Sequence, residues 1–227
     1  MDESTRDDGE DASTVVETLQ RLKRAGSRLL VTGSVSAAVR AQQTRHLLGS
    51  PEEDRARILA LADDSSPSAH LPEGPPTAAD RVAVVEHRGD VRSATVARAE
   101  PLPPRETATD SMAAFYEDVL AAVAADRRAN GAPAPATLRV GVVGGGALVD
   151  RHGLDRSERM LRSLGDTVVA DRGMFHCHVA AASDAAVVDA LLPSFDVHVE
   201  LRHREGLPPE QRWSFPETDE RTEWMLL

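Results

Sequence analysis

Three short stretches carry residue types able to do chemistry. His176-Cys177-His178 has the donors of a metal site. On a strand, alternate side chains share a face, so the two imidazoles point one way and the thiol the other. Two histidines at that spacing can grip one metal, but no third ligand follows at a motif distance. The expectation is a hydrogen-bonded structural pair, with Cys177 a buried small apolar group. Gly144-Gly145-Gly146 follows the apolar run Val140-Gly141-Val142-Val143. Gly144 and Gly146 fill the first two positions of the dinucleotide fingerprint G-x-G-x-x-G, but Val149 holds the third, where a small residue lets helix and strand pack closely. Asp171 stands far enough downstream to be a ribose acid, yet it falls on a helix end. Asp150-Arg151-His152-Gly153 interrupts the helix that should begin there. A flexible turn at the mouth of a sheet is expected. Asp63-Asp64 places paired carboxylates after another apolar run. No G-x-S-x-G element is present for a serine hydrolase.

A fourth stretch is informative through what it lacks. Leu29-Leu30-Val31 reads as a strand, Thr32-Gly33 as its exit, and an alanine-rich helix runs to Leu48 and is closed by Gly49. That is the setting of a phosphate cradle, G-x-x-x-x-G-K-[ST]. Counting from Gly33, the second glycine position holds Ala38, the lysine position Val39 and the hydroxyl position Arg40. Gly33, Gly144, Gly145 and Gly146 are therefore the candidate cofactor-contacting residues. Catalytic and metal-binding residues are not expected, and neither is a bound cofactor.

The surrounding elements alternate between strands and helices. Residues 13–25 form a helix with Val15, Val16, Leu19 and Leu22 on one face, stopped by Gly26. Arg57–Ala62 and Val82–Val85 are strands, and residues 65–79, with four prolines, form a surface loop between them. Residues 92–99 form a short, weaker strand. Asp110 opens a long helix to about Arg128 through Met112, Phe115, Val119 and Val123. Leu138–Val143 is a buried strand, Leu154 to about Arg172 a helix, Met174–Ala180 a strand, and Asp184 caps one more helix. Val197–Arg204 and Gln211–Phe215 form an antiparallel hairpin across Glu205-Gly206. This order predicts an α/β fold with a mostly parallel sheet covered on both faces and a C-terminal antiparallel hairpin. It divides into an acidic tail (residues 1–12), one domain (13–215) and a C-terminal tail (216–227). The tail's end, Trp224-Met225-Leu226-Leu227, is too apolar to stay free and should dock on its own domain or on a partner.

Arg28-Leu-Leu-Val-Thr-Gly33, Arg57–Asp64, Leu138–Gly145 and Phe195-Asp-Val-His-Val-Glu-Leu-Arg202 together resemble the RecA-like ATPases, in particular their KaiC- and RadA-like branch. The chain is similar to haloarchaeal proteins of that superfamily that keep the scaffold without its motifs. The resemblance implies a P-loop-type three-layer sandwich over most of residues 14–215. It also implies a magnesium aspartate after the strand Val140–Val143, where this chain has Gly144, and an acid activating water where Asp63 and Asp64 stand. The reading is a non-catalytic domain that works as a regulatory or interaction module, with a homo-oligomer or a protein partner. Alternatives are a nucleotide- or dinucleotide-binding enzyme using the Gly144–Gly146 turn, and a signalling or transcription regulator acting through a partner.

Composition narrows the setting. Acids outnumber bases 37 to 26, giving a formal charge of -11, and Lys23 is the only lysine. Acid excess together with loss of lysine points to salt adaptation, and the field disfavours direct nucleic-acid or anionic-membrane binding. Arg202, Arg204 and Arg212 surround Trp213, but Glu200, Glu205 and Glu210 interleave with them, so a salt-bridged edge is expected rather than a base-stacking strip. The single cysteine rules out an internal disulfide and fits a reducing cytoplasm. No apolar run approaches the ~20 residues that span a bilayer.

Overall fold

Strands buried on both faces need near-continuous apolar sequence, and β2 (Ala56–Leu61, ARILAL) and β5 (Leu138–Val143, LRVGVV) are buried at every position. The computed structural model describes residues 17–73, 81–87, 93–96 and 111–227. The acidic tail, residues 74–79 of the expected proline-rich loop and residues 97–110 lie outside them. The remaining strands are β1 (Ser27–Thr32), β3 (Arg81–Glu86), β4 (Ser93–Val96), β6 (Met174–Val179), β7 (Val197–Arg202), β8 (Glu210–Phe215), β9 (Glu220–Arg221) and β10 (Met225–Leu226). They form one sheet in the order β10-β8-β7-β1-β6-β5-β2-β3-β4, with β9 also on β8. The block from β7 to β3 is parallel; β4 pairs antiparallel with β3 at one side, β8 antiparallel with β7 at the other, and β9 and β10 pair antiparallel with β8.

Helices cover both faces. One face receives α1 (17–25), α2 (Ala37–Leu48) and the short α3 (Pro67–His70). The other receives α4 (Ser111–Asn130), α5 (Gly145–His152), α6 (Leu154–Ala170) and α7 (Ala186–Leu191). The larger core lies under this second set and joins Phe115 and Val119 of α4, Leu148 of α5, and Leu161 and Leu164 of α6 to Leu30, Ile58, Val140, Phe175 and Cys177 of the sheet. A smaller core joins Leu19 and Leu22 of α1 and Val39 and Leu47 of α2 to Leu29, Val31, Val197, Val199 and Phe215.

Two local expectations need correcting. The turn at Gly144 is not followed by an interrupted helix. Gly144, in the left-handed region at φ 84°, starts α5, and Gly153 at φ 81° separates it from α6. Side-chain patterning alone does not reveal so short a helix bounded by two glycines. Asp184 does not cap α7: the cap is Ala185, and no side chain bonds the helix start.

The C-terminal residues complete the sheet edge. β10 pairs with β8, the Leu227 amide donates to the Pro209 carbonyl, and Gln42 Nε2 donates to the Leu227 carbonyl at 2.9 Å. Two guanidinium groups lie over the Trp224 ring, Arg202 at 3.9 Å and Arg212 at 4.6 Å from its centroid. Those arginines also bond Glu210 and Glu200, their direct cross-strand partners. The salt-bridged edge is thus present, with Trp224 rather than Trp213 as its aromatic. Trp213 faces the smaller core. Trp224→Ala should cost about 2 kcal/mol, from two exposed cation–π contacts and half-buried ring area. Urea unfolding checks this, and the loss should not change with protein concentration. A loss that shrinks on dilution would place the tail on a second copy instead.

Candidate functional site

Parallel α/β sheets bind ligands beyond the carboxyl ends of their strands, and this chain has a cleft there of about 350 Å³. Its lining includes Arg40 of α2, Asp63 after β2, Gly144, Gly146 and Asp150 at α5, and His178 and Ala181 at the end of β6. The structure therefore brings together residues that lie far apart in the sequence.

The phosphate-cradle position sits at this cleft and is closed by its own bonds. α2 begins at Ala37, one residue before the second glycine position, with Ser36 as its cap. The Val39 amide donates to Ser36 Oγ and the Arg40 amide to the Ser36 carbonyl. The Gly33 amide donates to the Ala181 carbonyl at 2.8 Å. A cradle works by aiming free amides at phosphate, and these three are spent inside the protein. The Arg40 guanidinium turns back and donates to the Val35 carbonyl, placing a side chain against the loop that would have to wrap a ligand.

The other candidate groups are similarly committed. Asp63 Oδ1 accepts from the Ser65 amide at 3.1 Å and from the Ser65 hydroxyl, a local turn. Asp64 is exposed. Gly144 approaches Asp63 so closely that a Cβ there would lie 2.8 Å from the Asp63 nitrogen. At Gly145 a Cβ would lie 2.6 Å from Cys177 Sγ, so this glycine seats α5 on β6. Gly33 lies against β7. Asp171 caps the far end of α6 and pairs with Arg127 at 3.2 Å, at the end of the sheet opposite the cleft.

Residues 26–201 match the family of unknown function DUF7504. The chain belongs to this family. None of the curated proteins matches the chain by sequence. Among solved structures, a KaiC-like protein from the hyperthermophilic archaeon Pyrococcus horikoshii OT3 is similar, with a TM-score of 0.51 at 9% identity, covering 89% of this chain and 82% of that one. At that identity the likeness establishes the fold, which is RecA-like with a mostly parallel sheet and antiparallel C-terminal strands. Among the described residues no helix is long and apolar enough to cross a membrane, and no group of three or more His, Cys, Asp or Glu is placed to hold a metal.

Behind the cleft, this DUF7504 chain carries a buried polar seam that sequence reading saw only in part. His176 and His178 share the face under α2, with His178 Nε2 3.1 Å from His176 Nδ1. Thr44 of α2 reaches both His178 Nε2 at 3.4 Å and His70 Nδ1 at 3.1 Å, while its hydroxyl donates to the Arg40 carbonyl. His176 stands over Gly141, where any Cβ would lie 2.4 Å from the ring. Two neutral imidazoles hold two protons on four nitrogens. The bond between them uses one N–H and one lone pair, which leaves His178 Nδ1 and His176 Nε2 without protein partners, as observed. Burial pushes His176 down to about 3, helped by the charge of Arg139, and holds His178 far below its ordinary value, helped by His176. Burial pushes the Cys177 thiol up to about 12, so it is no nucleophile. The participation of Thr44 and His70 had no local signal, since both meet the histidines only through the packing of α2 and α3 on the sheet.

Proposed function

We propose that this chain is a RecA-like domain that does not hydrolyse nucleotide and acts through protein contacts, as a regulatory or interaction module. The observation that carries this reading is the closed cradle: the Gly33, Val39 and Arg40 amides have internal acceptors, and Arg40 folds onto Val35. The lysine and magnesium carboxylate that position phosphate in hydrolysing relatives of this fold have no counterpart at Val39 and Gly144. A contact surface is available at the sheet edge, where, among the described residues, Leu207 before β8 and Met225 and Leu226 of β10 are exposed large apolar residues. The surplus acid of the chain supports a salt-rich cytoplasmic setting.

ATP and GTP turnover with magnesium should be indistinguishable from background. The double change Val39→Lys with Arg40→Thr should leave ATP binding undetectable by calorimetry, because Ala38 stays helical and the Ser36 cap still takes the Val39-position amide. Magnesium-dependent hydrolysis lost on changing Asp63→Ala would overturn the reading. So would tight ATP binding by the double variant.

A further inference from the structure

At the opposite end of the sheet from the cleft lies a second pocket, of about 60 Å³. Leu19 and Leu22 of α1, Leu29, Met174, Val197 and Trp213 form its apolar walls, and Lys23, Arg172 and Arg139 also line it. No acid is among the lining residues. Arg139 is the unusual member. It interrupts the apolar run of β5 and is 4% exposed. Its Nε is buried without a hydrogen-bond partner, and its Nη1 donates only to the sulfur of Met174 at 2.9 Å. A thioether is a weak acceptor and carries no charge. Burial, with Arg55 next, lowers this guanidinium to about 10, so it remains a cation at neutral pH.

The contrast with Arg57 is instructive, because Arg57 is buried one strand away. Its guanidinium donates to the carbonyls of Leu48, Ser50 and Glu53, which close the negative end of α2. Arg139 has no such carbonyl cluster. Glu53 favours its charge through space but makes no ion pair with it. A buried charge without a bonded counter-charge is unfavourable, and the pocket beside it is roomy enough for several water-sized groups. The walls are apolar, so a fully hydrated inorganic ion would leave them unmatched.

We propose that this pocket binds a small monocarboxylate with a short apolar body, its carboxylate on Arg139 with Lys23 and Arg172 at the rim and its alkyl part against Leu22, Leu29 and Trp213. A guanidinium pairs two oxygens of one carboxylate in a fork, which a spherical anion cannot match. Each methylene moved from water onto the walls strengthens binding by up to about fourfold until the pocket is full.

The test uses the full chain carrying Trp224→Phe, which leaves Trp213 as the only indole. Trp213 fluorescence is titrated with sodium acetate, propionate and butyrate, and with sodium chloride at matched ionic strength. The expected result is a saturable change with the carboxylates, tightening from acetate to butyrate, with no saturation by chloride. Arg139→Met should weaken butyrate at least tenfold while the chain stays folded, since the variant removes a buried charge that has no bonded counter-ion. Arg139→Lys, which keeps the charge but loses the fork, should weaken it less. Equal saturation by chloride, no response to any carboxylate, or undiminished binding by Arg139→Met would each overturn the proposal. The chain-length series on the Trp224→Phe chain decides the matter even if an Arg139 variant fails to fold.

Discussion

Lowering the pH from 7.5 to 5.5 should remove at least about 3 kcal/mol of stability, read as the shift in urea unfolding free energy. The cause is the seam under α2. His176 and His178 are buried and stay neutral in the folded protein, with His176 at about 3 and His178 well depressed. The groups facing them are His70, Arg139 and Arg40, none of them an acid. Unfolding frees both imidazoles to take protons near pH 6.5. Because the folded values are depressed, the unfolded chain binds more protons below pH 6.5, and stability falls with pH until the folded values are reached. Each fully neutral buried histidine loses about 1.4 kcal/mol over those two pH units. His70, His87, His152 and His198 are depressed in the same direction and add to the slope. Glu158, held low by the Ser194 hydroxyl, adds at more acid pH. Changing His176 and His178 together to leucine should remove about 3 kcal/mol of the pH dependence and leave the part carried by the other histidines, whatever it does to stability at pH 7.5. A wild-type stability unchanged between the two pH values would mean that the seam accepts protons in the folded protein.

The sheet was legible because β1, β2, β3, β5 and β6 are apolar runs of strand length, and the antiparallel hairpin because its acids and arginines alternate with Val199, Leu201, Trp213 and Phe215. Such patterns report burial directly. The failure of the cradle was also legible, since Ala38, Val39 and Arg40 stand at fixed positions from Gly33. What could not be read was which distant groups share a site. Thr44 joins two histidines because α2 and α3 pack on the same face. Arg139 faces α1 because β5 lies two strands from β1, with β6 between them. The strand order that sets these meetings follows from crossovers, and no local residue encodes it. The local error at Gly144–Gly153 has a different origin. Positive-φ glycines can start or stop a helix as well as break one, so three glycines in a row cannot by themselves distinguish a turn from a short helix between two turns.

Gly33→Ala should be among the most damaging single changes in the chain, costing about 3–4 kcal/mol from left-handed strain plus backbone collision. The residue has φ 143°, and a Cβ there would lie 2.3 Å from the Leu201 carbonyl oxygen. That neighbour is backbone of β7, so it cannot swing aside as a side-chain tip would. The Gly33 amide is held at the same time by Ala181 beyond β6. The exit of β1 is therefore pinned between the strands on either side of it. A glycine at this position in a nucleotide-binding protein would be explained by the close approach of phosphate. Here the close approach is made by the protein itself, and the glycine is required with no ligand present. The two explanations separate experimentally. If packing against β7 is the reason, Gly33→Ala lowers the urea midpoint sharply, and no concentration of ATP with magnesium protects the wild type or the variant. If the position survives as a phosphate contact, ATP raises the wild-type midpoint and the alanine variant loses that rise while staying well folded. An unchanged midpoint in Gly33→Ala would mean that β1 and β7 can part at this end, and with it would go the argument that this loop is closed by packing.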